Sequence, residues 1–393
     1  MTSTLTGKKM SDDAEPARPA ADGADGQARS ALDVALDIHR IRQYFNVVLR
    51  ARDLATGARK DAAFADALRR AVVPLPFARR PEPARVFGPL RGAAPPRLPG
   101  RVGVVASGGS GALASLVGVA KALADSGTTV SVYSLCSGSA LFGFPLAVGM
   151  TPDEVAELTA SARPGDYVDV GWREMAAAVP AMGRGWKGVL RGDKLEAFYR
   201  AELGDVTLAR MRTPAYAPIW NVEHNRLEFI GPRTYPDMPV AHAIRMAVSM
   251  PLLMRSVELD GLFWCDGGIV DIFPVRPVLD IEPAVDAAVA VNCFYPHEFG
   301  GEDATGWDAR PFSIITAASQ VRTCQHAELA REHLARLRGS ARTLLVEPVP
   351  HWKVAGVGFY QQFLDNREWP EFMRAGRAAT LAALRAEAAP AAA

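Results

Sequence analysis

The chain has 393 residues, 49% of them hydrophobic and 22% charged, with a formal net charge of +1. That composition fits a globular protein of one large domain or two smaller ones and excludes a chain disordered throughout. The near-neutral balance gives no global field for nucleic acid, so any electrostatic attraction to lipid must come from a local patch.

Residues 1–30 are rich in Ala, Asp, Gly and Pro and poor in large apolar side chains. They cannot bury enough surface to offset chain entropy and are read as a disordered tail. From Ala31, apolar residues recur at helical spacing, with Val34, Ile38, Ile41, Phe45 and Val48 near one face. A Pro/Arg-rich stretch runs from Pro74 to Gly100, so residues 31–100 are read as a helical extension followed by a linker or surface strap.

The pattern then changes. RVGVVAS (101–107) reads as a strand, and the glycine turn after it as the entry to a helix ending at Gly127. TTVSVYSLC reads as a second strand, followed by a turn and helix, SGSALFGFPLAVG, and then by a helix capped at Thr151. APIWNV, RLEFIG, GLFWC and TLLVEPV read as strands, while AVDAAVAVNCF fits a strand or a helix end equally well. A long helix lies within 309–337, and EFMRAGRAATLAALRAEA closes the fold. Alternation of strand and helix implies parallel pairing in an α/β layered fold over 101–385, with residues 386–393 an Ala-rich tail.

Cys136, Cys265, Cys293 and Cys324 are scattered, with no CxxC pair, which argues against a structural zinc site. No apolar run reaches the roughly 20 residues of a membrane-spanning helix. The N-terminus lacks the apolar core of a signal peptide. A reducing, cytoplasmic setting is expected, with membrane contact at most peripheral.

Three segments carry residues suited to chemistry. SGGSGALASLVGVAKAL (107–123) is a small-residue turn opening a helix, where backbone N–H groups can face an anion. Gly109, Gly111 and Ala114 approximate a dinucleotide loop, but neither a ribose-binding acid nor a phosphate-binding lysine accompanies them. SLCSGSALFG (134–143) places Ser137 on a strand-to-helix turn, as in a nucleophile elbow, with Leu135 and Ser139 where the G-x-S-x-G pattern has glycines. Taken alone, Ser137 reads as a turn serine rather than a nucleophile, because serine is common in turns. LFWCDGGIVDIFPVRP (262–277) ends a strand at Asp266 followed by Gly267 and Gly268, which suits a held general base or a plain Asx turn.

Together, GGSGAL, LCSGS and DGG, in that order, resemble the patatin-like phospholipase family, with its glycine-rich oxyanion loop, G-x-S-x-G elbow and Asp-Gly-Gly motif. AHAIRMAVSMPLLMRSVELDGLFWCDGGIVDIFPVRP resembles the family's run into the aspartate. The resemblance spans about Arg101 to Phe294. It implies a three-layer α/β/α sandwich with a mainly parallel central sheet. It also implies a lipid acyl hydrolase using a Ser137–Asp266 dyad through an acyl-enzyme. The N–H groups of Gly108, Gly109, Ser110 and Gly138 would form the oxyanion hole, and no cofactor or metal is expected. The substrate would be a lipid or other acyl ester.

Ser110, Ala112 and Leu113 depart from the oxyanion-loop pattern, and both elbow glycines are changed. The alternative reading is therefore a diverged, weakly active or inactive lipid or acyl binder. A Ser–His–Asp hydrolase using His351 is a further rival, since the chain order Ser, acid, His is met. Trp186 with Arg184, Lys187 and Arg191 fits either a solvated basic loop or a lipid-facing cap.

Overall fold

The computed structural model describes residues 85–171, 173, 187–293, 313–354 and 357–388. The expected tail, most of the N-terminal extension, Arg184, Trp186 and the last five residues of the Ala-rich tail lie outside the described residues.

The body is a mixed, mainly parallel sheet flanked by helices. Its strands are β1 (Val102–Ala106), β2 (Val130–Ser134), β4 (Ala215–Asn221), β5 (Arg226–Ile230), β7 (Val257–Leu259), β8 (Leu262–Asp266), β9 (Ala287–Val291) and β10 (Arg342–Val346). Their order is β10-β9-β1-β2-β4-β8-β7, with β5 also on β4. The five strands from β10 to β4 are parallel, whereas β5, β7 and β8 join antiparallel. β3 (Gly188–Leu190) and β6 (Leu252–Met254) form a separate parallel pair.

The layering follows from residue alternation. In β1, Val102, Val104 and Ala106 pack into one core, and Val105 into the other on the opposite face. β9 divides likewise, with Ala287, Val289 and Val291 on one side and Ala288 and Ala290 on the other. A strand apolar on both faces carries no two-residue period, which is why AVDAAVAV was ambiguous in sequence. Its place between β1 and β10 settles it as a strand.

The first core is covered by α1 (Ser115–Asp125), α2 (Ala140–Val148), α3 (Pro152–Ser161), α5 (Asp193–Leu203), α6 (Val240–Ala247) and α10 (Trp369–Ala388). A short α4 (Pro164–Tyr167) precedes β3. The second core is covered by the long α7 (Ser313–Ser340), through Ala327, Ala330, Leu334 and Leu337. α8 (His351–Val354) and α9 (Val357–Leu364) lead into α10. Thr151 caps α3 as expected, accepting from the Glu154 N–H while Glu154 accepts from the Thr151 N–H.

Residues 85–100 form no regular element, yet Val86, Phe87 and Leu98 are buried in the first core. The Leu98 N–H donates to Thr128 Oγ1, and Arg377 donates to the Gly88 carbonyl. Packed structure thus begins before the boundary expected at 101. Among the described residues, no helix is long and apolar enough to cross a membrane.

Candidate active site

The site forms where the chain leaves β1, β2 and β8, and β4 sets its dimensions. Ser134, the last residue of β2, pairs with Tyr216 of β4, and the Leu135 N–H donates to the Tyr216 carbonyl. Three residues along the same strand, Ile219 pairs with Asp266, the last residue of the antiparallel β8. Three residues of strand advance about 10 Å. The elbow advances three residues from Ser134 to Ser137, so β4 brings the two motifs to one level although 129 positions (266 − 137) separate them in sequence.

The elbow is tightly built. Ser137 has φ +50, a left-handed conformation uncommon outside glycine, and opens a 3-10 turn over Ser137–Ser139. Ser139, at the second glycine position of the motif, uses its hydroxyl to tie the turn. Its Oγ accepts from the Cys136 N–H at 2.6 Å and donates to the Cys136 carbonyl at 2.8 Å. Leu135, at the first glycine position, is fully buried. It is accommodated by Gly143 on α2, where a Cβ would stand 2.2 Å from Leu135 Cδ2. The missing volume has moved from residue 135 to a residue about one turn into the helix.

The glycine-rich loop lies against this elbow. A Cβ on Gly138 would stand 2.1 Å from the Ser110 carbonyl oxygen, and one on Gly108 would lie 3.6 Å from Ser137 Cβ. Gly109 (φ +147) and Ser110 (φ +57) open the 3-10 turn Ser110–Ala114. The leading N–H groups of such turns have no acceptor within the turn, so those of Ser110 and Gly138, with Gly109 just before, can face an incoming anion. Gly108 differs from the expectation. Its N–H donates to the Ile272 carbonyl at 3.0 Å, so it ties the loop to the segment after Asp266 rather than serving as an open donor.

Asp266 is 2% exposed. Its carboxylate accepts from the Gly268 N–H at 2.7 Å and has the Ser137 hydroxyl as its side-chain partner. Burial raises its pKa from 3.8 to about 7, against the lowering by those two hydrogen bonds. Histidine is not among the groups that shift Asp266 among the described residues, whereas Ser137 is. His351 opens the short α8 after β10.

Contacts that sequence reading did not find hold the acid in place. The Asp266 N–H donates to the Ser249 carbonyl. The Ser249 side chain bonds the buried Arg245 guanidinium, which also donates to the carbonyls of Arg191 and Arg255. On the other face, α7 presents His326 and His333. His326 Nε2 donates to the Ile269 carbonyl at 3.0 Å, and His333 Nδ1 to the Phe273 carbonyl at 2.7 Å. His333 also pairs with the buried Asp271 carboxylate; burial opposes its charge, but Asp271 outweighs this and raises its pKa. The seven-residue spacing of these histidines on one helix was the available signal.

Cys136, Cys265 and Cys293 are buried, Cys324 is exposed, and all four are free thiols. Burial, with Asp266 and Asp271 adding to it, pushes the Cys136 thiol well up, so it stays protonated beside Ser137. Lys187 lies over the Phe263 ring and Arg191 pairs with Asp193. A small apolar cavity beyond Leu141, bounded by Phe198, Tyr199 and Trp369, has a volume of about 10 Å³. That is room for a water molecule and not for an acyl chain. Among the described residues, no cluster of three or more His, Cys, Asp or Glu is disposed to hold a metal ion.

Residues 104–279 match the patatin-like phospholipase family. An uncharacterized NTE family protein of Mycobacterium tuberculosis is 26% identical over 222 residues, 56% of this chain and 54% of that protein. A protein of the same description from Mycobacterium bovis matches over the same shares. The chain spans about half the length of these curated relatives. Among solved structures, VipD from Legionella pneumophila superposes with a TM-score of 0.39 at 14% identity, covering 74% of this chain and 68% of that one. ExoU from the type III secretion system of Pseudomonas aeruginosa, solved with SpcU, gives 0.34 at 16% identity, covering 71% and 53%. The loop, elbow and Asp-Gly-Gly turn stand in the family's order within residues 104–279, the stretch over which this chain is similar to the patatin-like phospholipases.

Proposed function

We propose that this protein is a serine acyl-ester hydrolase acting on lipid esters, with Ser137 as nucleophile and Asp266 as its base. The observation that carries the reading is a strained serine paired with a buried carboxylate whose pKa is near neutrality. An ordinary carboxylate, with pKa about 4, is a weak base toward a hydroxyl, and burial removes most of that deficit.

Ser137 Oγ attacks the ester carbonyl carbon as Asp266 takes its proton. The carbonyl oxygen becomes an anion facing the N–H groups of Gly109, Ser110 and Gly138. The intermediate collapses with cleavage of the bond to the alcohol oxygen, which leaves with the proton from Asp266. Water then attacks the acyl-enzyme, giving one proton to Asp266 and its oxygen to the acid product. Asp266 returns that proton to Ser137 as the intermediate breaks down. Gly268 keeps the carboxylate aimed by its N–H bond. The Cys136 thiol, held protonated, does not compete as a nucleophile.

The test is turnover of acyl esters and labelling by a fluorophosphonate. Ser137→Ala and Asp266→Asn should each lose on the order of 10⁴-fold or more in kcat, and labelling should occur on Ser137. The base must be ionised, so kcat/KM of wild type should fall about tenfold per pH unit below about 7. A flat profile from pH 5 to 8, or turnover that survives Ser137→Ala, rules the mechanism out. An Ala variant of His351 that keeps full activity separates the dyad from a triad.

A further inference from the structure

Ser110 stands where the patatin-like pattern has a glycine, and the substitution is costly twice over. Its backbone sits at φ +57, where a side chain is strained and glycine is not. Its hydroxyl is buried, in a residue 4% exposed, and has no hydrogen-bond partner among the described residues. The other buried serines around the two turns are all engaged. Ser107 Oγ donates to the Gly108 carbonyl, and Ser115 Oγ contacts Cys293 Sγ. Ser134 Oγ donates to the Pro274 carbonyl, and Ser139 ties the elbow. A buried polar group without a partner calls for an explanation, and a catalytic role is one.

The location supplies it. The Cα of Gly138, the residue after Ser137, is pressed against Ser110: a Cβ there would lie 2.7 Å from Ser110 Cα and 2.6 Å from its carbonyl carbon. We propose that the Ser110 hydroxyl is a side-chain donor to the anionic oxygen that forms on the substrate carbonyl, supplementing the backbone N–H groups of the loop. This rests on the serine-esterase reading above. Having no partner, the hydroxyl turns about its Cα–Cβ bond without breaking a hydrogen bond. A hydrogen bond to an oxyanion is stronger than one to a neutral ester carbonyl. The gain therefore falls on the transition state, and its loss belongs in kcat rather than KM.

The experiment compares wild type, Ser110→Ala, Ser110→Gly and Ser137→Ala, each checked for folding by circular dichroism. Turnover of a p-nitrophenyl acyl ester is measured beside the rate of labelling by a fluorophosphonate, whose phosphoryl oxygen takes the oxyanion position. Both Ser110 variants should lose on the order of 10²-fold in kcat and in labelling rate, with KM little changed. Ser110→Gly is the decisive variant, because it removes the hydroxyl while relieving the backbone. If it equals or exceeds wild type, residue 110 serves backbone shape alone and the proposal is overturned. A loss confined to KM overturns it as well. Wild type that neither turns over nor labels, and so matches Ser137→Ala, overturns the esterase reading and this proposal together.

Discussion

The elbow after β2 and the loop after β1 are both strand-to-helix turns that have lost glycines, and they have absorbed the losses differently. In the elbow each replacement is compensated. The bulk of Leu135 is matched by Gly143, and the Ser139 hydroxyl bridges the backbone of Cys136. In the loop, Ser110 keeps its strain and its unpaired hydroxyl. A motif written as glycines thus specifies space and dihedral freedom rather than residue identity. Where the space is recovered from a neighbour, the turn is intact; where it is not, the residual cost marks a place to look for function.

Gly138 joins the two turns, so it gives the strongest break. Gly138→Ala would place a Cβ 2.1 Å from the Ser110 carbonyl oxygen, a backbone atom that cannot swing aside. The loop and elbow must separate, and ester turnover should fall on the order of 10²–10³-fold as donors are displaced. The measurement is kcat in a variant shown to be folded. Retention of wild-type turnover would mean that the two turns act independently.

The Leu135–Gly143 compensation is tested by a double-mutant cycle on denaturant unfolding. Leu135→Ala should cost about 2–5 kcal/mol through the cavity it leaves. Gly143→Ala should cost about 1–3 kcal/mol through overpacking against Leu135 Cδ2. Combined, the two should cost less than their sum by about 1 kcal/mol or more, since the second methyl occupies space the first change vacates. Strict additivity would show that the two residues do not share that space.

The smallest effect belongs to Ser139. Ser139→Ala removes both hydrogen bonds to Cys136 and should lower stability by about 1–2 kcal/mol, read from the shift in unfolding midpoint. Ser139→Gly, which restores the motif residue, should do no better, because here the hydroxyl and not the absent side chain holds the turn.

Asp266 shows where folding and chemistry conflict. Its native pKa, about 7, lies above the ordinary 3.8, so the native state holds a proton that the unfolded chain releases first. The associated stabilisation is complete below about pH 4 and is lost as pH rises through about 7. Its full size is on the order of 4 kcal/mol, from a shift of about three pK units. The ionised form that the proposed reaction uses is thus the form the fold tolerates less well.

Much of this was legible before the fold was known. The strands RVGVV and TLLVEPV, the Thr151 cap and the chain order of GGSGAL, LCSGS and DGG are local features, set by side-chain type over a few residues. Three things were not legible. The AVDAAVAV strand has no period because both its faces are covered. The Gly108 N–H appeared open, but Ile272, remote in sequence, claims it. The glycine that accommodates Leu135 lies on the following helix, outside the motif.

The sequence by itself determined the alternation of strands and helices, the three candidate segments and the family they resemble, because propensity, capping and turn chemistry act between near neighbours. Only the tertiary structure decided that Ser137 and Asp266 share one site and that Asp266 loses enough water for its pKa to reach about 7. Both follow from the register of β2 and β8 on the common strand β4, and pairing register and burial are properties of the assembled sheet, not of any segment within it.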